Sequence, residues 1–368
     1  VAAHGARGNG GETMTLQRVF DPRLNALNVV RLLLAVSVIV WHSFPLTGAS
    51  RPPWPVVQLL GEAGVDGFFA ISGFLIVASW MRNPRWRPYL RARVLRILPA
   101  FYFCLVVTAF VLAPLGILLV GQGFPDGYLG DSLLYVLKNA GLRIVEAGIG
   151  GTPEGVLPYP GVWNGSLWTL WWEFLCYLGV LILGLTRLLR FRVTVPILFI
   201  ACLGGVALTA AGILDNAELI NGSRFGLMFA AGALIHQVKD RLPARWWLVG
   251  IAAAITITAS VLPDYRLVAA LPLAYLLIAG GALVKIPGLR LRNDVSYGTY
   301  IYAFPLQQVL ASAGLAALGV PVFAAVATIL TLGVATLSWH LIEKRALRWK
   351  RSRAGMTPES VTLTAGPA

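Results

Sequence analysis

The chain has 368 residues, of which 57% are hydrophobic and only 12% charged, and its mean hydropathy is +0.73. A soluble chain carries about twice that charge fraction, so the composition excludes an ordinary soluble domain and marks an integral membrane protein. A net charge of +14 would suit a nucleic-acid binder, but there is no basic low-complexity arm and no zinc-ligand spacing, and the placement of the charge accounts for the excess.

Residues 1–24 are polar and glycine-rich and read as a short disordered cytoplasmic tail. No cleavable signal peptide is expected, because the polar lead is long and the first apolar stretch carries ionisable groups. Ten apolar stretches of spanning length follow, near 29–46, 64–81, 97–120, 166–186, 193–214, 224–238, 246–262, 267–284, 295–318 and 320–342. All are expected to be helices, because lipid offers no partner to an open backbone group. The fold class is therefore all-α, a polytopic membrane bundle of about ten transmembrane helices in one domain over residues 25–345. No inverted repeat of the transporter kind is visible. The longest connection, about 121–165, holds Asp126, Asp131, Glu146 and Glu154. Within it, 132–145 has helical apolar spacing and reads as a surface helix or a cover over a cavity. Residues 346–368 read as a basic, then disordered, cytoplasmic tail. Cys104, Cys176 and Cys202 all lie in apolar stretches without paired or metal-ligand spacing, so packing is their expected role.

Charge orients the bundle. With the N-terminus cytoplasmic, 24 of the 30 Lys and Arg fall inside, Arg51, Lys138, Arg143, Arg224 and Arg266 fall outside, and Arg31 lies in a span. The positive-inside rule then predicts an even number of spans with both termini cytoplasmic.

Arg31 and His42 are the first buried ionisable pair. Their spacing of eleven residues turns a helix by about 1100°, three turns and roughly 20°, over about 16 Å. They share one face, and titratable groups inside a span usually face a protein interior or a water-filled cavity. Arg31 falls near the cytoplasmic end and His42 near the outer end. Asp66 opens the second apolar stretch at its outer end, and Glu173 lies about 10 Å below the outer edge of the fourth. Either carboxylate could set the pKa and orientation of His42 for general-base work. Other readings stay open: Asp66 as a helix cap, Glu173 as a partner of Arg224, His42 as an interfacial histidine. His236 and His340 read as interface anchors, and His4 lies in the tail.

Six arginines fall between residues 82 and 96, among them Arg91, Arg93 and Arg96, in the second inside loop. Guanidinium forks suit phosphate oxygens. The two readings are lipid headgroups with topology and the phosphates of a cytoplasmic acyl carrier.

Five motifs, in order, resemble the acyltransferase-3 family of membrane proteins over about residues 25–345. They are Arg31 with His42; Gly64-Val65-Asp66-Gly67-Phe68-Phe69 through Ser72-Gly73-Phe74; Arg91, Arg93, Arg96 and Pro99; Ser166-Leu167-Trp168-Thr169-Leu170 with Glu173; and Ser296-Tyr297-Gly298 with Tyr300, Ile301, Tyr302 and Pro305. The resemblance implies transfer of an acyl group, usually acetyl, from a cytoplasmic acyl-CoA donor to a hydroxyl of a sugar-containing acceptor. It implies His42 as base or acyl relay, Arg31 orienting the site or donor, and Arg91, Arg93 and Arg96 on the donor's phosphates. Ser72, Tyr297, Tyr300 and Tyr302 are further site candidates. Many members carry a histidine where this chain has Ala303, which throws more weight onto His42. No metal and no nucleic acid is expected. The expected partners are membrane lipids and a carbohydrate acceptor, and the expected location is a bacterial cytoplasmic membrane. A polytopic transporter or flippase for a glycolipid or small metabolite is the competing class.

Overall fold

A computed structural model describes residues 14–152, 159–289, 291 and 293–347. His4, Glu154 and the tail after residue 347 lie outside the described residues. Among the described residues the chain is helical without strands, apart from two isolated bridges, Thr15 with Pro243 and Ile149 with Thr152. A short helix α1 (Leu16–Val19) precedes α2 (Leu27–Leu46), α3 (Trp54–Arg82), α4 (Trp86–Leu119), α5 (Tyr128–Asn139), α6 (Thr169–Leu185), α7 (Thr194–Ala210), α8 (Ala217–Val238), α9 (Trp246–Ala259), α10 (Arg266–Leu283), α11 (Ser296–Ser312) and α12 (Leu315–Leu347).

Each of the ten apolar stretches falls on one of these helices. Among the described residues five helices, α2, α3, α4, α10 and α12, are long and apolar enough to cross a membrane, while α6, α7 and α9 are apolar but shorter. The large apolar side chains Leu33, Ile182, Ile200 and Ile329 point outward, while Asp66, Ser72, Gln307 and Gln308 are buried. Apolar outside and polar inside is the arrangement of a membrane protein.

Residues 14–24 belong to the expected tail, yet this part is docked. Leu16 is fully buried, its N–H donates to Leu242 O at 2.8 Å, and the Met14 carbonyl accepts from Ala244 N at 2.8 Å. Val19 is buried beside it and the Phe20 ring meets Phe74 edge-on at 5.0 Å, so this short segment has enough apolar area to hold a turn against the bundle.

The arginine loop is mostly helix. α4 begins at Trp86, so Arg87, Arg91, Arg93 and Arg96 all lie on it. Arginine is a good helix former, and Pro88 sits in the first turn, where its missing N–H costs nothing. Tyr89, Arg93 and Arg96 consequently share one face. Further along, α4 widens into a π turn over Thr108–Leu112, just before Pro114. That proline removes a helical donor and crowds the carbonyl four residues back, which a wider turn relieves.

α11 is the centre of the bundle. Every residue in it but Leu306 is buried. It packs on α2, α4 and α12. Its polar side chains find partners there: Gln307 Nε2 donates to Ile39 O and Ser43 Oγ at 3.0 Å, and Gln308 Nε2 to Tyr159 O and Val162 O at 2.8 and 2.7 Å.

α5 occupies the long loop. Its Tyr128, Ser132, Tyr135 and Asn139 are buried, and Tyr128 Oη donates to Ala109 O on α4 at 3.0 Å. Its Leu129, Leu133 and Leu137 point away from the protein. α5 therefore forms a ledge on α4 and lines neither of the two interior cavities described below.

α3 and α8 cross at backbone contact through two glycines. A Cβ on Gly73 would stand 1.9 Å from Phe229 O, and one on Gly232 1.8 Å from Ala70 O. Neither clash is with a side chain that could turn aside. Small residues permit this approach where lipid supplies no hydrophobic drive between helices. Gly73→Ala should therefore lower the stability of the purified protein by at least about 1–3 kcal/mol, read as an earlier thermal transition in detergent. An unchanged transition would contradict this crossing.

Candidate active site

Two cavities meet inside the bundle. The larger, ≈ 550 Å³, is walled by His42, Trp41, Tyr159, Trp168, Arg224 and Tyr300, with Arg51 and Glu62 also reaching it. His42 comes from the last turns of α2. Its ring meets Phe304 edge-on at 5.0 Å between centroids, and its Nδ1 is buried without a hydrogen-bond partner. Buried polar atoms are usually paired, so this nitrogen is available to a bound water or hydroxyl.

The smaller cavity, ≈ 30 Å³, lies between Arg31, Phe68, Phe69, Leu170, Glu173 and Tyr297. Val65, Thr169 and Tyr300 line both cavities. Two of these shared residues are joined by a hydrogen bond, Tyr300 Oη with Thr169 Oγ1 at 2.7 Å.

Below the small cavity sits an ionic cluster. Asp294 Oδ2 accepts from Arg31 Nη1 and, at 2.5 Å, from Arg96 Nη2. Its Oδ1 accepts from the Ser296 hydroxyl and from Ser296 N at 3.2 Å, capping the entry to α11. Burial raises the Asp294 carboxyl, but Arg31 and Arg96 outweigh that and hold it down to about 2. Arg96 also lies 3.8 Å from Glu343 and over the Tyr297 ring. Arg93 Nη2 donates to Ser79 Oγ at 2.9 Å, and its guanidinium lies over Tyr89 and Tyr177. The Nε atoms of Arg31 and Arg93 and both oxygens of Glu343 are buried without hydrogen-bond partners. Arg91 stands half-buried on the same helix.

The two carboxylates expected beside His42 are engaged elsewhere. Asp66 is fully buried; it pairs with Arg224 at 3.0 Å and Arg266 at 2.6 Å and accepts from Tyr265 Oη at 2.5 Å. Arg266 in turn reaches Glu62 and Asp264. Asp66 thus ties α3 to α8 and α10, and it takes the arginine that was a possible partner for Glu173. Glu173 accepts from Ser72 Oγ at 3.1 Å and from Tyr177 Oη, and it faces the small cavity with Arg31. The reason is azimuth: counting residues along a span measures depth but not which neighbour a side chain turns toward.

The tyrosine candidates separate in the same way. Tyr300 lies at the junction of the cavities, and Tyr297 lines the small one while donating to Ile97 O at 2.9 Å. Tyr302 packs instead against α12, accepting from Ser338 Oγ at 3.4 Å. Ala303 is fully buried beside the His42 partner Phe304.

Asp294, Tyr177, Tyr265 and Glu343 escaped the sequence reading. Asp294 alone left a trace: it is one of only 16 acidic residues and stands in an otherwise basic loop. Among the described residues no three His, Cys, Asp or Glu side chains gather as a metal site.

Residues 24–340 match the family model described as an acyltransferase domain, Acyl_transf_3. The chain belongs to the acyltransferase-3 family. It is 29% identical to a protein named O-acetyl transferase from Shigella phage Sf6, over 88% of this chain and 96% of the relative. It is 29% identical to Nodulation protein 10 of Rhizobium leguminosarum bv. viciae, over 89% and 94%. It is 31% identical to the Exopolysaccharide production protein ExoZ of Rhizobium meliloti (strain 1021), over 80% and 92%. No solved structure matches it. The membership decides between the two classes left open by the sequence: the protein is an acyltransferase enzyme.

In this acyltransferase Asp294 joins α2, α4 and the start of α11. Asp294→Asn should cost about 3–5 kcal/mol, because two arginines lose their carboxylate. A lowered pKa stabilises the fold above the ordinary carboxylate value, near about 4, and that support fades as pH falls toward 2. The stability gap between wild type and Asp294→Asn in detergent should therefore be smaller at about pH 3 than at about pH 7. An equal gap at both would reject the ion-pair account.

Proposed function

We propose that this acyltransferase carries an acyl group, in the first place acetyl, from a cytoplasmic acyl-CoA to a hydroxyl of a carbohydrate acceptor on the opposite side of a bacterial cytoplasmic membrane. The acceptor class is an envelope glycan or glycolipid, a reading supported by the printed names of the phage O-acetyl transferase and of the exopolysaccharide production protein. In this reading about ten spans cross the bilayer with both termini cytoplasmic, so the Arg31 cavity faces the donor and the His42 cavity faces the acceptor.

The observation that carries the reading is His42 itself. A buried imidazole with an unpaired nitrogen lines a ≈ 550 Å³ cavity that also presents Trp41, Tyr159 and Trp168. Aromatic faces give a sugar ring an apolar surface, while the hydroxyl to be acylated points at the imidazole. His42 takes the hydroxyl proton as the oxygen attacks the thioester carbonyl. The carbon–sulfur bond breaks, the carbon–oxygen ester bond forms, and the proton passes on to the departing thiolate. Neither Asp66 nor Glu173 bonds to His42, so His42 acts here as a base without a carboxylate to orient it. Glu173 and Asp66 shape the two cavities from their own partners.

On the donor side, Arg31 and Arg96 are partly neutralised by Asp294, which suits them to holding the entrance in shape. Arg93, with its Nε unpartnered, and Arg91, two residues before it on α4, are assigned to the donor's phosphates. Guanidinium forks match phosphate oxygens better than any other side chain.

The test is mass spectrometry of envelope glycans from cells expressing wild type or His42→Ala at equal membrane levels. Loss of the acyl mass by at least about 100-fold is expected. Retained acylation in His42→Ala cells would overturn the assignment.

A further inference from the structure

Resting on that reading, the small cavity has a role of its own. We infer that Phe69 and Leu170, beneath the Tyr300–Thr169 hydrogen bond, form a chamber that seats the acyl group of the donor and limits it to acetyl size. The chamber lies between the arginine cluster and the His42 cavity, so an acyl group travelling from one to the other occupies it. Its volume is ≈ 30 Å³. One water needs about 10–15 Å³ of such space, so there is room for about two groups of that size, a methyl and a carbonyl.

The walls cannot simply recede. Phe69 is stacked on Phe225 with centroids 4.4 Å apart. Phe68 meets the Tyr300 ring edge-on at 5.6 Å and carries the Arg31 guanidinium on its other contacts at 5.7 Å. Leu170 is 3% exposed. Close-packed side chains of this kind feel a single added methylene. The roof differs from the walls. It is a side-chain pair between α11 and α6, joined by the 2.7 Å Tyr300–Thr169 hydrogen bond. Parting that bond opens the chamber to His42 without moving a helix, so the roof serves as the door and the phenylalanines and leucine as the gauge.

Discrimination per methylene in a rigid apolar pocket is about 10–200-fold. The test needs no acceptor. Titrate the purified full-length protein calorimetrically with acetyl-CoA, butyryl-CoA and CoA. Wild type should bind acetyl-CoA at least about 10-fold more tightly than butyryl-CoA. Leu170→Ala, or Phe69→Leu if the first variant does not fold, should shrink that ratio at least about 5-fold by admitting the longer chain. Acetyl-CoA and butyryl-CoA binding equally to wild type, or a ratio unchanged in a folded variant, overturns the chamber while leaving the donor reading intact. Binding of none of the three overturns the acyl-CoA reading, and the chamber with it.

Discussion

A single carboxylate, Asp294, holds the Arg31 end of the bundle. It accepts from Arg31 on α2 and Arg96 on α4 and caps the first turn of α11. A charge inside a membrane bundle is costly unless paired. Once Arg31 is committed to a span, some carboxylate must meet it. The one that does lies 263 residues away in sequence. That constraint aligns α2, α4 and α11, and the small cavity opens between α2, α11, α3 and α6.

A second clamp works at the other end. Asp66 on α3 collects Arg224 from α8 and Arg266 with Tyr265 from the start of α10. The close crossing of Gly73 and Gly232 brings α3 and α8 within reach of that pairing. Between the two clamps Glu173 bonds Ser72 and Tyr177, and Tyr300 bonds Thr169. The partition is thin: Val65, Thr169 and Tyr300 separate the cavity of Arg31 from that of His42. The two ion-paired ends thus leave Arg31 and His42 facing two cavities that share Val65, Thr169 and Tyr300 as walls.

Much of this is legible in the sequence. The helices announced themselves as apolar runs, and the helical period put Arg31 and His42 on one face toward the interior. The resemblance drew attention to Tyr300, which stands where the cavities meet. Pairing was not legible. Asp66 and Glu173 fell near the right depth for His42, but Asp66 turned to two arginines and Glu173 to Ser72 and Tyr177. The arginine run looked like a loop because its charge hid a helix with Tyr89, Arg93 and Arg96 along one side. The docked turn at Leu16 was not legible because its apolar residues, Leu16, Val19 and Phe20, cover a single turn, too short for a period to be read.

Composition and periodicity alone therefore establish helices, burial and the side of each helix that shuns lipid, because every residue in a span must satisfy the same solvent. They leave open which cation meets which carboxylate, which of the chain's few acids stays near the histidine, and where cavities remain. Those depend on helix rotation and crossing, set by contacts such as Gly73 against Phe229 between residues far apart in the chain. The Nδ1 of His42 has no carboxylate partner because Asp66 is held by Arg224, Arg266 and Tyr265, and Glu173 by Ser72 and Tyr177.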